Sequence, residues 1–141
     1  MREILFKAKR IDNGKWVEGY YAERNGKTFI GIDISIYGDI FEVFCTPVIR
    51  WLEVDSETLC QFTGETDKNG KRIWESDVVW LVYDGKEHIY QIVWDNSELD
   101  FKATNGEENY GSNFEYLLCC DEIEVIGNIF DNPELLQEEH K

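Results

Sequence analysis

The fold turns on the stretch Val78-Val79-Trp80-Leu81-Val82-Tyr83-Asp84-Gly85, followed by His88-Ile89-Tyr90-Gln91-Ile92-Val93-Trp94. Six consecutive apolar or aromatic residues, mostly β-branched or aromatic, stop at Asp84-Gly85, a dipeptide suited to the positive φ of a tight hairpin turn. His88 to Trp94 then reads as the returning strand. A strand that is apolar on both faces must be covered on both sides, as the central strand of a small barrel or sandwich is.

Upstream, Asn-Gly recurs at Asn13-Gly14, Asn25-Gly26 and Asn69-Gly70. Ile4 to Lys9, Trp16 to Tyr21 and Thr28 to Ile32 are joined by the first two signals into a three-strand meander. Asp39 to Phe44 is a strand candidate, Pro47 breaks any ladder, and Val48 to Leu52 is a short run with no assigned partner. Leu59 to Gly64 is extended, and Asp67 to Lys71 is a polar turn. Downstream, Asp95 to Asn113, which contains Asn105-Gly106, reads as a variable loop with at most one edge strand. Phe114 to Cys120 suits strand or helix alike. Glu122 to Phe130 begins with alternating acidic and apolar residues, a half-exposed strand. In Asn132-Pro133-Glu134-Leu135-Leu136, Asn132 is the cap and Pro133 the first position of a short C-terminal helix. The chain is expected to be mainly β, with an N-terminal β-meander, a small barrel or sandwich and that helix. Residues 1–141 form one compact unit, divisible into 1–55 and 56–141.

Charge narrows the partners. The 141 residues carry 29 acidic against 14 basic side chains, a formal net charge of −15. Such a chain repels phosphate, so direct binding to nucleic acid or to an anionic membrane is not expected. With 14% aromatics and two prolines it is no disordered acidic tail. Splitting after Arg72 leaves 11 basic and 12 acidic residues in the first part and 3 and 17 in the second. The acidic half is either a solubilising face or a surface that meets a basic partner.

Met1 to Lys7 meets charge too often for a secretory h-region, and no apolar run is long enough to span a bilayer, which gives the expectation of a cytoplasmic protein. Cys45, Cys60, Cys119 and Cys120 form no CxxC pair and read as reduced thiols. No phosphate loop, HExxH, GxSxG or EF-hand pattern is present. A triad would have to rest on His88, because His140 lies in the acidic tail. Asp121, Glu122 and Glu124 could serve a metal or acid–base chemistry, but a charged strand face explains them equally. No cofactor or metal is called for. Among the tryptophans, Trp80 and Trp94 fall in runs that read as core. Trp74, bounded by Arg72, Glu75 and Asp77, reads either as core or as an interface anchor.

Two blocks carry a resemblance. Gln61-Phe62-Thr63-Gly64-Glu65-Thr66-Asp67-Lys68-Asn69-Gly70-Lys71-Arg72-Ile73-Trp74-Glu75-Ser76-Asp77-Val78-Val79 and Ile123-Glu124-Val125-Ile126-Gly127-Asn128-Ile129-Phe130-Asp131-Asn132-Pro133-Glu134-Leu135-Leu136 resemble the YopX-like proteins of bacteriophages and prophages. Ile4 to Lys9 and Gly14 to Gly19 look like that family's opening hairpin. Ser76 departs from the pattern, which has glycine before the aspartate. The resemblance implies a phage-derived, cytoplasmic protein with SH3-like barrel strands and an N-terminal sheet; it implies no activity and transfers no catalytic residue. Asp67, Asn69, Gly70, Trp74, Asp77, Gly127, Asn128, Asn132 and Pro133 are thus candidates for interaction or for specifying the fold. The expected function is that of a non-enzymatic phage or prophage accessory protein, a homo-oligomer acting through protein–protein contacts. An acidic mimic of nucleic acid that inhibits a host DNA- or RNA-binding protein is one alternative, and a metal-assisted hydrolase is the other.

Overall fold

The computed structural model describes residues 3–34, 48–105, 114–117 and 120–139. The chain divides into two compact units, Met1–Gln61 and Phe62–Lys141. The division falls inside a strand, six residues beyond the 55/56 boundary read from the sequence.

The first unit is an antiparallel meander of β1 (Phe6–Lys9), β2 (Trp16–Arg24), β3 (Lys27–Asp33) and β4 (Ile49–Val54). Its far edge is the start of β5 (Cys60–Thr66), where Lys7 pairs with Cys60 and Phe6 with Gln61. Asn25 and Gly26 carry φ of 55° and 76°, the two left-handed positions that a two-residue hairpin demands. Alternation in β2 and β3 sends Val17, Tyr21 and Ile30 to one face and Trp16, Tyr20 and Phe29 to the other. The inner face buries Ala8, Ile30 and Val54 with Phe6, Val17 and Leu59 packed against them. An Arg10–Val54 bridge, with Asp55 N–H donating to the Lys9 carbonyl at 2.8 Å, ties the end of β4 back to β1 and curls the sheet around this core. Thr58, buried in the 3-10 turn Ser56–Thr58, accepts from Lys9 N–H at 2.8 Å and donates to the Asp55 carbonyl at 2.7 Å.

The second unit continues through β6 (Arg72–Trp74), β7 (Asp77–Tyr83), β8 (Lys86–Asp95), β9 (Asp100–Thr104), β10 (Phe114–Tyr116), β11 (Glu122–Asn128) and a helix, α1 (Glu134–Glu139). Five strands form an antiparallel sheet in the order β10-β9-β8-β7-β11. One face holds Val79, Leu81, Tyr90, Ile92, Phe101 and Ala103, covered by Ile73 and Leu117, with Ile123 and Val125 beside them. The expected hairpin forms through Asp84-Gly85, with Tyr83 opposite Lys86 and Val79 opposite Tyr90. The double-sided run is buried on both faces only at its start, because Val78 is fully buried while Trp80 and Val82 are half-buried. α1 lies against β8.

Two expectations change. The sheets do not close, with β10 and β11 as the edges of the five-stranded one among the described residues, so of the two expected architectures the barrel gives way to the sandwich. Segment 95–113 contains no mere edge strand: β9 sits between β8 and β10 with Phe101 to Thr104 all buried. Its reading as a loop failed because Lys102 looks exposed in sequence, whereas its ammonium is neutralised by Asp95 at 2.9 Å. The strand candidate Asp39 to Phe44, Pro47 and Gly106 lie outside the described residues. Among the described residues, no helix is long and apolar enough to cross a membrane.

Candidate interaction surface

Most of the residues singled out in the two blocks make internal contacts. The Asp67 carboxylate accepts the backbone N–H groups of Asn69, Lys71 and Val125, each at 2.9 Å. Burial pushes this carboxyl up, but those three donors and the Lys71 charge outweigh it and hold it below its ordinary value. Asp67 therefore fastens the β5–β6 turn, closed at Gly70, to β11. Asn69 Nδ2 donates to Glu124 Oε1 at 3.2 Å. Asp77 accepts the Trp74 N–H at 2.8 Å, bridging a turn in which Ser76 adopts φ of 74°.

The other residues shape the end of β11. The register slips between Val125 and Gly127, a bulge at Ile126. A Cβ on Gly127 would lie 2.6 Å from Asn132 Oδ1, so only glycine leaves room for that side chain. Asn132 Oδ1 accepts from Asn128 N–H at 3.3 Å, and Asn128 Oδ1 accepts from Phe130 and Asp131 N–H at 2.9 Å. The Asn132 side chain thus turns back onto β11, and its carbonyl takes the Leu135 N–H at 3.2 Å. Pro133 stands exposed just ahead of α1.

The tryptophans are redistributed relative to the sequence reading. Trp74 is 4% exposed, its ring 5.4 Å from Phe62, and cannot anchor a partner in this fold. Trp94, read as core, is 38% exposed and edge-on to Phe101. Trp80 lies under Lys68 at 4.8 Å and donates to Glu87. Strand-end position and the pairing of indole N–H groups with polar partners explain the difference, since a run of apolar residues does not say which face is covered.

The outer face of the first unit gathers exposed aromatic surface. Tyr20, Gly31 and Trp51 are aligned across three strands, and Ala22, Phe29 and Glu53 form the next row. Tyr20 is 49% and Trp51 47% exposed. The Trp51 ring lies over Gly31, where a Cβ would sit 2.8 Å from Cζ3. Trp16, at the other end of β2, has Lys7 and Lys9 over its ring at 4.7 and 5.4 Å. Ala22, Glu23, Arg24, Phe29 and Trp51 line a hollow of about 370 Å³. The sequence reading missed this face, because the aromatic of β4 could not be placed without its partner strand.

Chemical constellations are sparse. His88 stacks on Tyr90 with ring centroids 4.8 Å apart, and its Nδ1 shares a 3.1 Å hydrogen bond with the tyrosine hydroxyl. Among the described residues, no three His, Cys, Asp or Glu side chains converge as a metal site requires. Asp121 accepts the Asp84 N–H at 3.2 Å, and Glu124 faces Lys68 at 3.8 Å. Cys60 is buried and its thiol donates to the Thr58 carbonyl, while Cys120 is half-buried. Cys45 and Cys119 lie outside the described residues.

A family model described as YopX protein matches residues 5–137, a span that contains both blocks. The chain belongs to the YopX family. This YopX-family chain also resembles the solved crystal structure of protein EF1440 from Enterococcus faecalis, with a TM-score of 0.55 and 22% identity. The likeness covers 96% of this chain and 99% of that one, and it speaks to the fold alone. No curated protein matches the chain.

Proposed function

We propose that this YopX-family chain is a non-enzymatic accessory protein of phage or prophage origin that works in the cytoplasm by binding protein, and that the outer face of β2, β3 and β4 is its contact surface. The observation that carries the reading is the alignment of two half-exposed aromatics, Tyr20 and Trp51, on either side of Gly31 on one sheet face. Rigid aromatic anchors of this kind dominate binding energies at protein interfaces. A homo-oligomer joined through this face is the simplest version. The test is Tyr20→Ser with Trp51→Ser, checked for folding by circular dichroism. Both changes lie on the exposed face, so the variant is expected to fold and to lose partner binding or self-association, each truncation costing about 2 kcal/mol. Unchanged association in sedimentation and in binding assays would sink the proposal.

A second reading, the acidic mimic, is favoured by one observation: Glu87 and Glu122 flank Val82 on neighbouring strands, and Glu124 stands on the same face beside Trp80. It predicts that Glu87→Lys with Glu122→Lys abolishes inhibition of a host DNA-binding protein. Inhibition by the wild type that survives this reversal would rule the mimic out.

A further inference from the structure

We infer that the hollow on the outer face of the first unit takes an acidic segment of a partner protein, one that places an apolar side chain beside carboxylates. The inference rests on the reading of that face as a contact surface and adds the chemistry of what it holds. The floor is apolar: Ala22 and Phe29 are direct cross-strand partners, and the Trp51 ring is pressed over Gly31. A hollow of about 370 Å³ accommodates a single large aliphatic or aromatic side chain.

Two cations stand beside this floor, Arg24 in the lining and Lys27 opposite it on the neighbouring strand. Arg24 and Lys27 are paired in register across the Asn25-Gly26 turn, so two like charges face each other directly, an arrangement that is destabilising by itself. Neither side chain has an ion-pair or hydrogen-bond partner among the described residues. Glu23, the acid in the lining, is engaged instead by the Tyr21 hydroxyl at 2.9 Å, and that interaction raises the tyrosine's pKa. Glu53, beside Phe29 on β4, forms no ion pair with either cation. A carboxylate arriving with the apolar side chain would relieve the opposed charges, with the Arg24 guanidinium able to hold it in bidentate fashion.

A basic segment would add to the repulsion. A nucleic-acid strand needs a track of cations, and the remaining two on this face, Lys7 and Lys9, are already committed to the Trp16 ring.

The test selects a random dodecapeptide library on the immobilised full chain, on Trp51→Ser and on Arg24→Glu with Lys27→Glu; Arg24→Gln with Lys27→Gln serves as a milder control for folding. The wild type is expected to enrich peptides that carry two or more acidic residues next to Leu, Phe or Trp. A synthetic representative should lose about tenfold in affinity or more on Trp51→Ser and on the charge reversal. It should also weaken at high salt. Enrichment of neutral or basic peptides that is abolished by Trp51→Ser overturns the acidic segment and leaves the contact surface standing. Absence of any Trp51-dependent enrichment overturns both. Tighter binding of an oligothymidylate, or a Trp51-dependent dimer in sedimentation, overturns the inference in favour of a single strand or a second copy.

Discussion

Asp67 and Ser76 show how much a single side chain decides here. One carboxylate serves three backbone donors from two separate segments, so Asp67→Ala strands the N–H groups of Asn69, Lys71 and Val125 and should destabilise the second unit by about 3 kcal/mol. Urea unfolding followed by tryptophan fluorescence measures this, and Asp67→Asn should show a smaller loss. Ser76 holds a left-handed φ of 74° while its backbone N–H donates to the Ile92 carbonyl and its own carbonyl accepts the Ile129 N–H. The backbone therefore keeps the turn and bears its strain. Ser76→Gly should raise the urea midpoint, by about 0.5–1 kcal/mol in stability; a lower midpoint would mean that the hydroxyl does more than the backbone geometry shows. The turn at Asp67 to Gly70 was legible from residue types alone. Its reach to Val125 was not, because a contact across 58 positions leaves no local trace.

At the scale of elements, hairpins with paired left-handed residues were the most readable features. Asn25-Gly26 and Asp84-Gly85 place β2, β3, β7 and β8 in register from local chemistry. β9 escaped notice because its stability is borrowed from a neighbour: Lys102 tolerates burial only through Asp95 across the hairpin. The Lys102 ammonium, followed by the Ser97 hydroxyl, holds the Asp95 carboxyl far below its ordinary value, and Asp67 is lowered as well. Both groups bind protons more weakly folded than unfolded. Their contribution is complete above the unfolded pKa of about 4 and is lost as pH falls below it toward the folded values. Thermal midpoints should accordingly hold steady from neutral pH down to about 5 and fall steeply below about 4, and Asp67→Asn should flatten that fall. A midpoint that is constant down to strongly acidic pH would contradict the assignment.

For the whole molecule, charge and covered surface are the quantities that matter. Residues 73–141 hold 17 acidic and 3 basic side chains, and part of that excess is gathered on the face of Glu87, Glu122 and Glu124. Self-repulsion on this scale is relieved by screening, so the thermal midpoint should rise by about 3 °C between low and moderate salt in a calorimetric scan. A fall would show that pairs such as Lys68–Glu124 outweigh the repulsion. The sequence by itself determined the mainly β character, the tight turns and the partition of charge, since these follow from residue type and short-range spacing. Only the tertiary structure decided which tryptophans are covered, where β4 and β9 pair, and that Tyr20 and Trp51 share a face with Arg24 and Lys27. Strand pairing brings together residues distant in sequence, and burial belongs to the pair and the face, not to the residue.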